Sequence, residues 1–419
     1  MKAIILADYE ARGHDSRTRE SDCGDRMRLV AKFGGTSVGS GDRMARAADS
    51  VAAAVEAGHE VAVVVSAMGS TTDFLLDEMK FDASEEDRAE IVSMGERTSV
   101  RMLKGALEAR GIDAVFLEPG RQEWPIITDE YGEVDVEETR RRAQRCAEQM
   151  EKGVVPVITG FLAEDHEGTI TTLGRGGSDT TAVMLGNYMD ADEVVIVTDV
   201  EGVMTGDPDV VEGARNVGEI TVDELRNLSF RGAEVVAPSA LTYKSGDLDV
   251  RVVHYQHGDL LSGGTSIEGE FQNLIALHER EAVCLTAAGR AIRNRPGILA
   301  KLSSALADEG VNVETVSSGM DSISFYVDES RAQEAEALLH EEVVEDEALS
   351  SVTFEGGIAI IRVTGGDLQN QQDAVKQIIT PLADAHIYVH DVITSATSVS
   401  VCIPWEDRED ALERVQDVF

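Results

Sequence analysis

The sequence predicts an α/β protein whose mostly parallel sheet is covered by helices on both faces, followed by two copies of a smaller α+β unit. Over the first two thirds of the 419 residues, short apolar runs alternate with longer segments that carry Ala, Val and Leu at helical spacing. This alternation is typical of βα units in a parallel sheet. After about residue 280 the order changes to β-α-β-β-α, and a similar order recurs before the end of the chain, which indicates a paired module.

The first region shows its strands and helices clearly. The segment 60–66 (EVAVVVS) is continuous and β-branched, as expected of a strand buried on both faces. Gly58 and Gly111 each follow a helical segment and are typical of helix C-termini. Because ligands of parallel sheets bind at the carboxyl ends of the strands, we expect the functional loops there. The predicted elements are strand 28–33, helix 42–57, strand 60–66, helix 85–110, strand 112–117, helix 136–152, strand 154–160, helix 178–188 and strand 193–198.

The second region consists of two similar units. For the first we predict strand 281–287, helix 297–309, strands 311–316 and 322–327 and helix 332–339. For the second we predict strand 358–363, helix 373–383, strands 387–393 and 398–403 and a helix from 406. The acidic stretch 340–349 is interpreted as a helix end or a linker. The predicted domains are a flexible extension (1–26), a large α/β domain (27–280) and the two small units (281–350 and 351–419).

The composition excludes some partners. The chain has 37 Lys and Arg against 78 Asp and Glu, a net charge of −41. A field of this sign repels nucleic acid and anionic membranes, so we expect neither as a partner. Lysine is scarce and the acids are dispersed along the chain, which predicts a halophilic protein whose activity rises with KCl and collapses at low salt. An acidic protein of ordinary salt preference is the alternative.

Cysteine and histidine usage predicts a cytoplasmic protein without a metal site of its own. The four cysteines form no CxxC pair and the nine histidines form no HExxH motif. Both observations argue against a disulfide framework and against a zinc site. No apolar run reaches 18 residues, so no membrane span is predicted.

Four polar, glycine-rich segments follow predicted strands. The first (32–37, KFGGTS) places Lys32 at a strand end beside Gly34 and Gly35. Glycines let backbone amides approach an anion, and lysine adds a point charge that suits a phosphoryl group. An ordinary strand-to-helix turn is the simpler interpretation of this segment alone.

The other three segments carry hydroxyl, arginine and carboxylate groups. Segment 66–73 (SAMGSTTD) suits a small carboxylated substrate or simple helix capping. In segment 174–181 (GRGGSDTT), Arg175 lies among glycines and Asp179 lies in the first turn of a helix, a combination that suits phosphate oxygens. Segment 198–208 (TDVEGVMTGDP) is a candidate for nucleotide binding but lacks the P-loop spacing. Together these loops predict phosphoryl transfer without naming the acceptor.

At these residues the sequence resembles the aspartate kinases of the amino acid kinase superfamily over about residues 28–419. The resemblance rests on KFGGTSVGSGDR (32–43), VVVSAMGSTTD (63–73), SMGERTS (93–99), GFLAEDHEGTITTLGRGGSDTTA (160–182), VTDVEGVMTGDP (197–208) and GTSI (264–267). It implies a three-layer αβα sandwich, the amino acid kinase fold, followed by two ferredoxin-like ACT domains. The implied reaction is ATP-dependent phosphorylation of the β-carboxylate of L-aspartate, the first step toward lysine, threonine and methionine.

The resemblance also implies roles for individual residues. As catalytic residues, Lys32 would stabilise the moving phosphoryl group, Asp179 would organise that lysine and the metal, and Arg175 would grip a substrate carboxylate. The residues expected to bind aspartate are Ser66, Thr72, Glu96, Arg175 and Ser178, with Glu96 facing the α-ammonium group. The residues expected to bind ATP are Lys32, Gly34, Gly35, Thr198, Asp199, Met204, Asp207 and Arg231. Mg²⁺ would be bound mainly through the ATP phosphates.

Three positions depart from the pattern of the family. The family usually has GAKV where this chain has GAEV (232–235), an arginine where this chain has Asp209, and a tyrosine where it has Met204. Acids thus replace two expected cations. We hypothesise that Arg231, three residues before Glu234, supplies the missing positive charge.

The paired C-terminal units would bind a pathway end product, lysine or threonine, and would join the chain into a homodimer or homotetramer. The implied pocket residues are Pro296, Gly297, Ile298, Asn312, Glu314 and Ser317, with Glu314 meeting the ligand ammonium. Units that only dimerise the protein are the alternative. Two other interpretations of the whole chain stay open: another amino acid kinase, and a non-catalytic subunit that senses amino acids.

Overall fold

The computed structural model describes residues 26–129, 131–208, 210–229, 235–271, 274–290, 292–365, 374–395 and 398–418. Asp209, Arg231, Glu234 and residues 1–25 of the predicted extension lie outside these ranges. Among the described residues, no helix is both long enough and apolar enough to cross a membrane.

The N-terminal region alternates strands and helices as the sequence predicts. In chain order its elements are β1 (Arg28–Phe33), α1 (Gly41–Glu56), β2 (Glu60–Val65), α2 (Thr71–Glu78), α3 (Glu85–Glu108), β3 (Ala114–Leu117), β4 (Ile127–Thr128), α4 (Val136–Glu151), β5 (Val155–Thr159), β6 (Leu162–Asp165), β7 (Ile170–Thr172), α5 (Gly177–Tyr188), β8 (Glu193–Thr198), β9 (Glu219–Thr221), α6 (Val222–Ser229), α7 (Pro238–Leu241), β10 (Asp249–His254) and β11 (Thr265–Glu268).

Eight of these strands form one sheet in the order β3-β5-β2-β1-β8-β10-β11-β9. Neighbours pair in parallel except β10 and β11, which are antiparallel. Successive side chains of the central strand β1 enter different cores: Val30 packs with apolar residues of α4 and α5, whereas Leu29 and Ala31 pack with those of α1 and α3. Helices therefore cover both faces, which confirms the predicted three-layer sandwich.

A second, small sheet was not predicted. In it β4 pairs in parallel with β6, and β6 and β7 form an antiparallel hairpin. Strands of two to four residues are too short for a periodic apolar pattern to reveal them. The hairpin matters for function because its residues 169–172 reach the cleft described below.

The C-terminal region contains both predicted units. Its elements are β12 (Leu274–Leu277), β13 (Ala282–Ala288), α8 (Ile298–Asp308), β14 (Val313–Ser318), β15 (Ser322–Asp328), α9 (Ala332–Glu345), β16 (Ser351–Thr364), α10 (Ala374–Asp384), β17 (Asp391–Thr394), β18 (Ser398–Pro404) and α11 (Arg408–Gln416).

One long strand joins the two units. The first half of β16 pairs with β13, and the second half pairs with β18 on one side and with β12 on the other. The two halves meet at Gly357, whose φ of +73° favours glycine. The predicted boundary at 280/281 leaves β12 in the large domain, whereas Ile275 and Leu277 of this strand pack on the core of the second unit.

Two C-terminal elements differ from their predicted lengths. The helix predicted to end at 339 continues to Glu345, because Leu339 and Val343 still pack on the core of the first unit; the acidic stretch is thus partly a helix end. The strand predicted over 387–393 begins only at Asp391. A turn precedes it, in which His386 adopts a φ of +61°.

Candidate active site

Two glycine-rich loops meet at the carboxyl ends of β1 and β2. The Gly69 N–H donates to the carbonyl oxygen of Gly35 at 2.9 Å. A Cβ atom on Gly35 would lie 2.9 Å from the carbonyl oxygens of both Ala67 and Gly69, so only glycine allows this close approach. The Gly34 N–H already donates to the carbonyl oxygen of Val197 at 3.1 Å. Of the two predicted phosphate-binding glycines, Gly35 is therefore the one that lines the cleft beside these loops.

A buried ion pair lies beside these loops. The Lys32 Nζ atom is 2.5 Å from Oδ1 of Asp179, and both residues are only 9% exposed. The other carboxylate oxygen of Asp179 accepts a hydrogen bond from the Ala237 N–H at 3.2 Å. Since a buried charge requires a partner, the ion pair fixes the positions of the lysine and the aspartate at the edge of the cleft.

Glu96 is a buried carboxylate that faces the same cleft. It is 3% exposed, and its Oε1 accepts from the Ala67 N–H at 3.2 Å, whereas Oε2 has no hydrogen-bond partner among the described residues. Burial raises the pKa of Glu96 to about 7, against the opposing effect of that hydrogen bond. The residue before Glu96 on α3 is Gly95, where a Cβ atom would lie 2.6 Å from Cβ of Ala67. Glycine at this position therefore lets α3 approach the loop that contains Ala67.

The third predicted loop enters the cleft at the start of α5. Gly176 precedes this helix with a φ of +71°, and a Cβ atom there would overlap Cβ of Ala237 at 2.2 Å. Arg175 is exposed and has no partner among the described residues. Ser178 lies under Gly160, where a Cβ atom would be 2.5 Å from the serine Oγ. Arginine, serine and aspartate of this loop thus face the cleft from one side.

The cleft has a volume of about 1150 Å³ and brings together most of the predicted site. The predicted residues that line it are Lys32, Gly35, Ser66, Thr72, Glu96, Arg175, Ser178 and Asp179. It has room for a small molecule with several polar anchors. The lysine and the glycine loop favour phosphate, and the free carboxylate oxygen of Glu96 favours a cation. The arrangement can therefore hold a ligand that carries an ammonium group near a phosphoryl donor.

Some lining residues were missed by the sequence analysis. Arg88 lies on α3 two turns before Glu96, with Val92 between them, and all three line the cleft. The spacing of four residues places them on one helix face, so once Glu96 was chosen, this spacing was a signal for Arg88. Phe161 and the hairpin residues 169–172 also line the cleft, but nothing local in the sequence points to them.

The predicted nucleotide residues of the fourth loop do not line this cleft. Thr198 is half-buried at the end of β8, where its hydroxyl donates to Oδ1 of Asp199 at 3.3 Å and its carbonyl accepts from the Tyr255 N–H at 2.8 Å. Met204 forms an isolated antiparallel bridge with Asn216, and Asp207 is exposed. These residues lie beyond the Lys32 end of the cleft, since Val197 next to Thr198 contacts Gly34.

The C-terminal region contains a separate cavity of about 390 Å³. Of the six predicted regulatory residues only Glu314 lines it, together with His278, Arg280 and Arg362. The carboxylate of Glu314 is 3.2 Å from Nε2 of His278 and accepts from the Asn312 side-chain amide at 2.8 Å. The other predicted residues lie elsewhere in the first unit.

Those other residues divide between surface and core. Pro296 and Gly297 form an exposed turn before α8, and Gly297 has a φ of +93°. Ile298 is buried in the hydrophobic core, so its side chain packs rather than faces a ligand. Ser317 is half-buried on β14. Among the described residues, no group of three or more His, Cys, Asp or Glu side chains is arranged to hold a metal ion.

Comparison with protein families assigns most of the chain. The amino acid kinase family matches residues 27–254, and the ACT domain family matches residues 285–343. An aspartokinase of Geobacillus stearothermophilus is 32% identical over 409 residues, which cover 93% of this chain and 97% of that protein. An aspartokinase of Thermus thermophilus is 34% identical over 412 residues, which cover 93% of this chain and 98% of that protein.

Solved structures agree with the sequence comparison. The aspartate kinase from Synechocystis superposes with a TM-score of 0.76 at 27% identity, over 93% of this chain and 68% of that one. Aspartokinase III of E. coli, solved with lysine and aspartate, superposes with a TM-score of 0.51 at 25% identity, over 93% of this chain and 99% of that one.

Proposed function

The chain belongs to the aspartokinases of the amino acid kinase family, as an aspartate kinase with ACT regulation, and on this premise we propose how its own residues carry out the reaction. The transfer runs from the γ-phosphoryl group of ATP to the β-carboxylate of L-aspartate. One observation carries the proposal: the buried Lys32–Asp179 pair and the half-satisfied carboxylate of Glu96 line the same cleft. The ion pair matches the phosphoryl donor, and the carboxylate matches the amino-acid acceptor.

Aspartate binds through its charged groups. The free oxygen of Glu96 accepts the α-ammonium group, which satisfies the atom that has no described partner. Arg175, which is exposed and has no described partner, grips a substrate carboxylate as a bidentate donor. Ser66, Thr72 and Ser178 line the cleft beside these groups and add hydrogen bonds. The β-carboxylate is thereby turned toward the lysine.

The phosphoryl end needs charge neutralisation and alignment. A β-carboxylate oxygen attacks the γ-phosphorus, a P–O bond forms, the bond to the bridging oxygen breaks, and ADP leaves with that electron pair. No proton has to be removed because the carboxylate is already ionised. Lys32 stabilises the charge on the moving group, Asp179 fixes the position of the ammonium group of Lys32, and Gly35 faces the phosphates. The residues proposed to contact the nucleotide are Thr198, Asp199, Met204, Asp207 and Arg231.

Magnesium is part of the proposal through the nucleotide. The ion would be bound mainly through the ATP phosphates, whose charge it would neutralise. Asp179, which lines the cleft and pairs with Lys32, is the carboxylate that we propose helps to hold it.

Control by an end product is proposed at the ACT units. Lysine or threonine would bind in the C-terminal cavity with Glu314 facing its ammonium group. Pro296, Gly297, Asn312 and Ser317 do not line that cavity, and their contact with the effector stays a prediction. A homodimer or homotetramer would form through the same units. The described cysteines, Cys146, Cys284 and Cys402, are free and buried, which supports the proposal of a reducing cytoplasm.

The experiment is formation of aspartyl hydroxamate from ATP and aspartate, measured from dilute buffer to molar KCl. We expect an ATP-dependent signal with aspartate and none with glutamate, and a rise with KCl. Signal with glutamate instead would indicate another amino acid kinase, and no turnover with any acid despite effector binding would indicate a sensing subunit. Arg231→Ala tests the compensation for Glu234: unchanged kcat and KM for ATP would reject it.

A further inference from the structure

A second cavity of the kinase region is lined in part by the β6–β7 hairpin, which also contributes to the active-site cleft. This arginine groove has a volume of about 540 Å³ and is lined by Arg121, Arg141, Arg142 and Arg145, with Glu164 and Gly168 of the hairpin. Residues 169–172, next to Gly168, line the active-site cleft instead. The groove is therefore a separate site that shares a wall with the cleft.

The arginines are placed there by two different means. Arg141 and Arg142 lie on α4 one turn before Arg145, so the three share one helix face. Arg121 comes from the loop after β3 and lies flat on the ring of Phe116, 3.8 Å from its centroid. Stacking leaves the edge of a guanidinium group and its N–H donors available for another acceptor.

Protein carboxylates neutralise only part of this charge. Glu138 accepts from Arg141 and Arg142 at 2.6 Å each, and these contacts lower its pKa to about 2. Glu164 lies 3.4 Å from Arg142 and accepts from the Gly120 N–H at 2.7 Å. The two carboxylates contact only Arg141 and Arg142, and neither Arg121 nor Arg145 has a carboxylate partner among the described residues. Two guanidinium groups thus line the groove without an ion pair, in a chain whose net charge is −41.

We propose that the arginine groove binds a small phosphate-bearing anion of charge −2 or more, at a site distinct from the phosphoryl-transfer cleft. Two guanidinium groups without a carboxylate partner favour an anion of charge −2 or more over a monoanion, because each can pair with one negative charge. Guanidinium groups bind phosphate oxygens through paired N–H donors, and they are more weakly hydrated than lysine. The volume is in the range of small-ligand sites. The occupied groove holds the anion between Arg121 and Arg145, with Arg141 and Arg142 at its floor.

The test is binding of pyrophosphate, measured by isothermal titration with the full-length chain at ionic strength fixed with KCl and without divalent metal. Wild-type protein is titrated beside Lys32→Met, which lacks the phosphate-facing cation of the active-site cleft. We expect pyrophosphate binding that persists in Lys32→Met, and a loss of about tenfold or more in affinity for the double variant Arg121→Gln/Arg145→Gln. Arg145 is exposed and Arg121 is half-buried, and unchanged thermal unfolding confirms that this variant folds.

Arg140→Gln is the matched control. Arg140 lies on the same helix but packs on the ring of Tyr188, 4.9 Å from its centroid, and does not line the groove. It removes the same kind of charge, so its pyrophosphate affinity should equal that of wild type. Three results would overturn the proposal: binding abolished in Lys32→Met, equal loss in the control, or unchanged binding in the double variant. If the double variant binds pyrophosphate as wild type does but sediments at a different mass, the proposal is also wrong. The groove would then be a contact with a second copy of the chain.

Discussion

The kinase region and the C-terminal region each present one glutamate to a cavity, and the two carboxylates differ in how far the protein satisfies them. Glu96 is buried and has one oxygen without a partner among the described residues. Glu314 has a side chain that is 26% exposed and is engaged with both His278 and Asn312. Both are proposed to meet an ammonium group. On the proposed roles, the difference teaches that the active-site cleft is prepared for its ligand, whereas the C-terminal cavity must exchange partners to accept one.

The strongest test of this contrast removes the cation at the other end of the catalytic cleft. Lys32→Met keeps the length of the side chain and removes the charge that faces the phosphoryl group. We expect kcat to fall by about 10²–10³-fold, because a positioned electrostatic donor in a water-poor site is worth that much. Steady-state kinetics with saturating ATP and aspartate measure it.

Lys104→Met is the control for that variant. Lys104 carries the same charge on the surface of α3, where it pairs with Glu108, so kcat should stay at the wild-type level. Because Lys32→Met leaves Asp179 buried without its ion-pair partner, thermal unfolding should also shift downward. If Lys32→Met folds and keeps a normal kcat, phosphoryl transfer does not take place in this cleft. The carboxylate oxygen of Glu96 that has no described partner would then need another explanation.

The second test concerns the preparation of Glu96 itself. Burial raises the pKa of this carboxyl group to about 7, so the group is protonated in the free enzyme below that pH. The ammonium group of aspartate binds the ionised form, and therefore the KM for aspartate should rise as pH falls through about 7. In Glu96→Gln the KM should be higher by about 10–100-fold and should lose this pH dependence. Initial rates from pH 5.5 to 8.5 measure both effects.

Glu193→Gln separates substrate binding from stability. Burial also raises the pKa of Glu193 to about 7, but this residue pairs with Arg251 at the amino end of β8, away from the cleft. A raised carboxyl pKa means that the folded state holds its proton more tightly than the unfolded chain. Stability from either glutamate is thus present at low pH and lost as pH rises toward 7. Only Glu96 should couple this titration to the KM for aspartate; an equal effect of Glu193→Gln would refute the assignment.

The sequence predicted the architecture because the fold depends on patterns that are local. The continuous apolar strands β1, β2 and β8 and the helices between them have enough residues to show their period. Two features were missed from the sequence, for different reasons. The pairing of β12 with the distant strand β16, where Leu277 lies opposite Ile361, is non-local. The hairpin β6–β7 is local, but its strands are too short to show a period. The boundary at 280/281 was placed from the start of a clear strand, which hid the pairing of β12.

The candidate site shows the same division. Lys32, Gly35 and Asp179 could be chosen from composition and position at strand ends, and the structure places all three at the cleft. Glu96 looked like a solvated residue of a long helix and was chosen only through the resemblance to a family. Its burial comes from Gly95, which lets α3 contact Ala67, and this contact cannot be read from the spacing. The partner of Glu314 is equally non-local, since His278 lies on the far side of β13 and α8 in the sequence.

The last and smallest effect is expected at Glu314. Its side chain is partly exposed, so its contact with His278 is weakened by solvent, and a ligand ammonium group gains only the difference between the two partners. Glu314→Gln should therefore weaken binding of the effector, lysine or threonine, by about fivefold, an effect of about 1 kcal/mol. Isothermal titration measures it. Glu355→Gln is the matched control, because Glu355 also pairs with a histidine, His390, but does not line the cavity. A loss as large as that of aspartate affinity in Glu96→Gln would show that the regulatory carboxylate is as well prepared as the catalytic one, and the contrast between the two regions would be wrong.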